Sequence, residues 1–149
     1  MDLLFEKSFN FDRQDYKTHV MIPFFIKKDY QKLCVDFEYS PKTVEDKDLS
    51  LQIIDETLHR YLQEAQAAKE DPRKFLPVTN LLTLSLDCGD DYIGAAHRPS
   101  PSQRIEISAK GSSPGFIPYS AMAGSWSATI SIHAISVPVT CSIRIIGEN

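Results

Sequence analysis

The chain reads as an all-β, mostly antiparallel sandwich of jelly-roll-like character with one inserted amphipathic helix. Two observations carry that reading. Short runs rich in Val, Ile and Phe recur between gaps marked by Gly and Pro, and helical spacing is confined to one stretch, about 48–70. About seven such runs favour a sandwich over a helix-covered parallel sheet.

The first run, Leu3 to Phe9, opens the chain as a strand. Thr18 to Ile26 and Lys32 to Glu38 follow, joined by the polar Lys27-Lys28-Asp29-Tyr30-Gln31. In the second of these, Leu33, Val35 and Phe37 alternate with Cys34, Asp36 and Glu38, the period of a strand with one buried face. Ser40-Pro41 suits its end, because the residue before proline is held extended. Leu51, Ile54, Leu58, Tyr61, Leu62 and Ala65 then recur at helical spacing, opposite Gln52, Glu56, Arg60, Glu64 and Lys69. That predicts a helix of about five turns lying against the sandwich. Asp48 or Ser50 is its expected cap and Asp71-Pro72 its stop. After Pro77, strands are predicted at Asn80–Leu86, Arg104–Ala109, Trp126–Ala134 and Val139–Ile146. Ser127-Ala128-Thr129-Ile130-Ser131-Ile132-His133 alternates small polar with apolar residues throughout.

A chain of 149 residues needs one core, so a single domain over 1–149 is expected. Its 42% hydrophobic and 24% charged residues exclude both disorder and a fibrous architecture. Sixteen basic residues are scattered among twenty acidic ones, which gives a net charge of −4 and none of the basic clustering that nucleic-acid binding requires. Met1-Asp2-Leu3-Leu4-Phe5-Glu6-Lys7 has no leader character and no apolar run is long enough to span a membrane, so a cytoplasmic protein is expected. Cys34, Cys88 and Cys141 lack metal-type spacing and read as buried, reduced thiols.

Catalytic signals are missing. His19, His59, His97 and His133 stand far apart with no HxH, HExxH or HxxxH spacing, so no zinc site is expected. Asp87-Cys88-Gly89-Asp90-Asp91 places three carboxylates after a strand, a weak calcium signal at Asp87, Asp90 and Asp91 that competes with an ordinary hairpin turn. Neither Gly94-Ala95-Ala96 nor Ser112-Ser113-Pro114-Gly115 has the strand-then-helix setting of a phosphate loop, and no GxSxG elbow exists. A site assembled in space from His97, Asp90 and His133 is the remaining enzymatic alternative.

The C-terminal half also carries a resemblance. Asn80-Leu81-Leu82-Thr83-Leu84-Ser85-Leu86-Asp87, Tyr92-Ile93-Gly94, Ser113-Pro114-Gly115-Phe116-Ile117-Pro118 and Ala123-Gly124-Ser125-Trp126 together resemble the N-terminal β-sandwich of CehA/McbA-type metallohydrolases of the polymerase-and-histidinol-phosphatase superfamily. In that family a strand ending in Asp leads into a Gly-containing loop, then a small-Pro-Gly-aromatic segment, then Gly-x-Trp. The sequence departs from the pattern at Ile93-Gly94-Ala95-Ala96-His97-Arg98, and the catalytic domain with its Gly-Asp-x-His-x-His opening is absent. The resemblance implies a non-catalytic accessory domain whose partner is another protein, or a hydrolase fused to it or encoded beside it. Self-association through a sheet edge or the helix is a further expectation. The alternative is a carbohydrate or small-molecule binding module that uses Asp87, Tyr92, His97, Arg98, Phe116 and Tyr119. Phe116, Tyr119 and Trp126 are either a stacking platform or core, and aromatic burial habits favour core.

Overall fold

Eight strands pair in a nested order. The computed structural model describes residues 1–149 and contains β1 (Asp2–Phe11), β2 (His19–Ile26), β3 (Lys32–Ser40), β4 (Leu81–Cys88), β5 (Asp91–Ala96), β6 (Ser102–Ile107), β7 (Gly124–Ala134) and β8 (Val139–Glu148). First pairs with last, β1 with β8; then β2 pairs with β7, β3 with β6 and β4 with β5, all antiparallel. Rolling that long hairpin gives two four-stranded sheets, β1-β8-β3-β6 and β2-β7-β4-β5. This is the strand order of an eight-stranded jelly roll. The expected fold class holds, with one more strand than the periodicity revealed.

Alternation builds the core between the sheets. Leu33, Val35 and Phe37 of β3, Ile143 and Ile145 of β8, Leu82, Leu84 and Leu86 of β4, and Ala128, Ile130 and Ile132 of β7 all point inward and are buried. Cys34, Cys88 and Cys141 are free and buried, as expected of cysteines without metal-type spacing. Burial pushes the Cys141 thiol up to about 12, since a thiolate there would lose its water.

The insertion differs from its expectation. Helix α1 runs only over Lys47–Tyr61, and after an extended Leu62-Gln63 a single turn, α2 (Glu64–Ala67), follows. The physical reason is the surface available. Ile53 and Ile54 pack with Val44 and Val78, with Leu58, Leu76 and Val137 at the margin, in a small second core at one end of the sandwich. Beyond Leu58 the stripe has nothing to cover: Tyr61 is 68% exposed and Ala65 is exposed. The cap also shifts. Asp46, not Asp48 or Ser50, accepts from the Leu49 backbone N–H at 3.0 Å, while the buried Ser50 hydroxyl donates to the Val44 and Asp46 carbonyls. Asp71-Pro72 opens a short 3-10 turn, with Asp71 accepting from the Arg73 N–H.

Each sheet edge carries a device against further pairing. β1 has an irregularity between Leu3 and Phe5 and an exposed Lys7 at a register position opposite the inward Ile143. β2 contains Pro23, which has no N–H to give. β5 is overlaid by the 115–117 segment, where the Ala95 N–H donates to the Gly115 carbonyl and the Ile117 N–H to the Ile93 carbonyl. β6 is occupied at Glu106 by Ser113, whose N–H donates to the Glu106 carbonyl and whose hydroxyl accepts from the Glu106 N–H.

Candidate functional site: the outer face of the second sheet

The two outer faces have opposite chemistry. On β1-β8-β3-β6, charges meet across strands: Lys32 with Glu106 at 3.5 Å, Arg104 with Asp36 at 3.8 Å and Glu148 at 3.5 Å, and Arg144 with Glu6 at 3.6 Å. Cys34 lies buried beneath them, and loss of water raises its thiol pKa. This face is internally satisfied.

On β2-β7-β4-β5 the outward positions are hydroxyls, imidazoles and exposed apolar groups. Register aligns Met21, Thr129, Ser85 and Ala95 in one row across the four strands, and Pro23, Ser127, Asp87 and Tyr92 in the next. Met21, Phe25 and Tyr92 are 68%, 63% and 60% exposed, and Asp87 is the only carboxylate in these rows. A third row begins at His19, whose Nδ1 lies 2.8 Å from Ser131 Oγ. Ser131 faces Thr83 on β4, and Thr83 Oγ1 lies 2.7 Å from His133 Nε2. The His97 and His133 ring centroids are 6.5 Å apart.

The structure divides the sequence-predicted residues. Asp87 and Tyr92 oppose each other across β4 and β5 on this face, and His97 stands at its other end, just past β5. Arg98 leaves the face and donates to the Pro114 carbonyl at 3.2 Å. Phe116 is core, bridged to Gly94. Tyr119 donates to Asp91 Oδ2 at 2.8 Å and meets Trp126 edge-on at 5.7 Å. The Asp91 carboxylate beside it, the neighbouring Cys88 and partial burial hold the Tyr119 phenol well above its ordinary range. Trp126 is 2% exposed and donates to the Met122 carbonyl, so the three aromatics pack rather than form a stacking platform.

Asp87 to Asp91 is a two-residue hairpin turn, with Cys88 paired to Asp91 and Gly89 at φ 58°. No group of three or more His, Cys, Asp or Glu side chains is placed to hold a metal ion, so its carboxylates do not gather as calcium ligands. The turn lies at the opposite end of β5 from His97. The six extended residues of β5, about 20 Å, separate Asp90 from His97, which breaks the His97, Asp90 and His133 constellation.

Sequence reasoning missed Met21, Phe25, Thr83, Ser85 and the β7 hydroxyls as face residues. The signal was present in β7: the polar half of its alternation, Ser127, Thr129 and Ser131, is the hydroxyl ladder. A separate cavity of about 260 Å³ lies between α1 and the end of the sandwich, lined by Arg13, Tyr16, Glu56, Arg60 and Tyr61 among others, with Arg13 paired to Glu56 at 3.8 Å. No helix is long and apolar enough to cross a membrane.

No family model matches the chain, and no curated protein matches it. Among solved structures, the chain is similar to a protein from Sulfurospirillum deleyianum at 9% identity and a TM-score of 0.35, over 95% of this chain and 97% of that one. A likeness at that level carries no argument about fold or function.

Proposed function

We propose that this chain is a non-catalytic binding domain, that its ligand surface is the outer face of β2-β7-β4-β5, and that the ligand is an uncharged, polyhydroxylated molecule of the carbohydrate class. The contrast between the two outer faces carries this reading. Covering a charged face strips water from ions at high cost. A lattice of Ser and Thr hydroxyls can exchange water for sugar hydroxyls one for one, each group both donating and accepting. The exposed rings of Phe25 and Tyr92 on the two edge strands offer apolar surfaces on which pyranose C–H groups can lie.

The test is a glycan array followed by calorimetry on the hits. Tyr92→Ala and Phe25→Ala should each weaken binding about tenfold, about 1.4 kcal/mol, without lowering thermal stability, because both side chains are exposed. Arg144→Ala, on the other face, should change nothing. An empty array, or binding indifferent to both aromatic variants, would sink the reading; a protein captured through the same two side chains would replace the carbohydrate by a protein partner. Association with a metal-dependent hydrolase rests on the sequence resemblance alone, and the test is whether such an enzyme is encoded in frame or next door. The three unpaired cysteines support a reducing, cytoplasmic setting; localisation of a tagged full-length protein checks it.

A further inference from the structure

We propose that His97 and His133 form a two-imidazole site for a borderline divalent transition-metal ion such as Zn²⁺, Ni²⁺ or Cu²⁺, with Thr83 as its positioning residue. The two histidines reach the same place from different strands. His133 comes from β7 and His97 from just beyond β5, and the strand between them, β4, presents Thr83. Thr83 is 5% exposed and touches the His133 ring, whose Nε2 lies 2.7 Å from its Oγ1. The centroids of the two imidazoles are 6.5 Å apart and their planes 62° apart.

An imidazole nitrogen binds zinc at about 2.0–2.1 Å, so two rings on one ion have centroids about 5–6 Å apart. Both side chains are exposed, and a small rotation of either closes the difference. The Thr83 contact supplies what a histidine ligand needs from a second neighbour. In the proposed site Thr83 Oγ1 accepts the Nε2–H of His133 across their 2.7 Å contact, which holds the ring and leaves the lone pair on Nδ1 for the ion. Water fills the remaining coordination positions. Imidazole nitrogen without thiolate or paired carboxylates suits Zn²⁺, Ni²⁺ or Cu²⁺ over Mg²⁺ or Ca²⁺. The proposal stands apart from the carbohydrate reading, since it uses one end of the face and different chemistry.

The experiment is calorimetric titration of zinc chloride into untagged, EDTA-treated full-length protein at pH 7.5. One ion per chain is expected. His97→Ala and His133→Ala should each weaken binding tenfold or more, while His59→Ala on α1 leaves it unchanged. Thr83→Val should weaken it about tenfold with an unchanged circular dichroism spectrum. Thr83→Ser, which keeps the hydroxyl, should bind as the parent does, and nitrogen chemical shifts of His133 should show the Nε2–H tautomer in the parent and a mixture in Thr83→Val. Absence of binding heat, binding that survives His97→Ala, or binding abolished by His59→Ala would overturn the site. A valine variant that binds normally would remove Thr83 from it.

Discussion

Replacing Gly94 by alanine tests the tightest of the glycine sites. A Cβ built at Gly94 would stand 2.2 Å from the Gly115 carbonyl oxygen and 2.7 Å from Phe116 Cα, both main-chain atoms that cannot swing aside. Gly94 also has φ +149°, where an L side chain is strained. Relief requires the 115–117 segment to lift from β5, which breaks the bonds from the Ala95 N–H to Gly115 and from the Ile117 N–H to Ile93 and draws the buried Phe116 outward. Backbone strain of about 1–3 kcal/mol, overpacking of about 1–3 and two hydrogen bonds near 1 each overlap, so a loss of about 3–5 kcal/mol is expected. For a chain of this size that lowers Tm by roughly 10 °C. Urea unfolding followed by the fluorescence of Trp126, the single tryptophan, measures it. Two controls calibrate the result. Gly89→Ala, at φ +58° with nothing within 4 Å, should cost about 1 kcal/mol. Gly111→Ala, in open space without positive φ, should be close to neutral. If Gly94→Ala costs no more than Gly89→Ala, the argument that this contact clamps the edge is wrong.

Three other outcomes are expected. Ile143→Ala, in the main core, should destabilise by about 4 kcal/mol, and Ile53→Ala, under the helix, by about 2, both read by urea unfolding, because only the first leaves a sealed cavity. Tyr30 donates to Asp2 at 2.6 Å, a bond that raises the phenol pKa and lowers the carboxyl pKa. The tyrosine part of that stability is therefore complete below the unfolded range near pH 10 and lost as pH climbs above it, while the aspartate part is complete above about pH 4 and lost below it. Tyr30→Phe should flatten both limbs of a stability-against-pH curve. Finally, Cys34, Cys88 and Cys141 should stay silent toward a thiol reagent at pH 8 until denaturant is added, since all three are buried; prompt labelling of one would show that the sandwich opens there.

Where alternation was strong, sequence and structure agree. β3 and β7 sit within two residues of their predicted bounds, because a period-two pattern with one apolar half has only one way to bury it. β5 escaped notice because Asp91-Tyr92-Ile93-Gly94-Ala95-Ala96 is weak in β-branched residues, and its extension is imposed by β4 on one side and the 115–117 segment on the other. Gly94-Ala95-Ala96 and Ser112-Ser113-Pro114-Gly115, unconvincing apart as ligand loops, turn out to be each other's partners. The helix was overextended because periodicity describes a stripe, not the area waiting for it. Half of the candidate site was legible: Asp87, Tyr92 and His97 share the face, whereas Arg98, Phe116 and Tyr119 are taken up by loop and core contacts. Of the three groups offered as converging in space, His97 and His133 do come together and Asp90 does not; no sequence spacing marks the pair, since their neighbourhood is created by the intervening β4.

The four blunted edges decide how this domain can keep company. Proteins that recruit an extended peptide do so by lending it an unpaired strand margin, and here each margin is bulged, proline-broken or already occupied by the chain itself. These devices weigh against main-chain zippering, whether with a client peptide or with another copy, along the stretches they occupy. Side chains on the broad flanks of the sandwich or at the helix-bearing end can by contrast change one residue at a time without disturbing the ladder beneath.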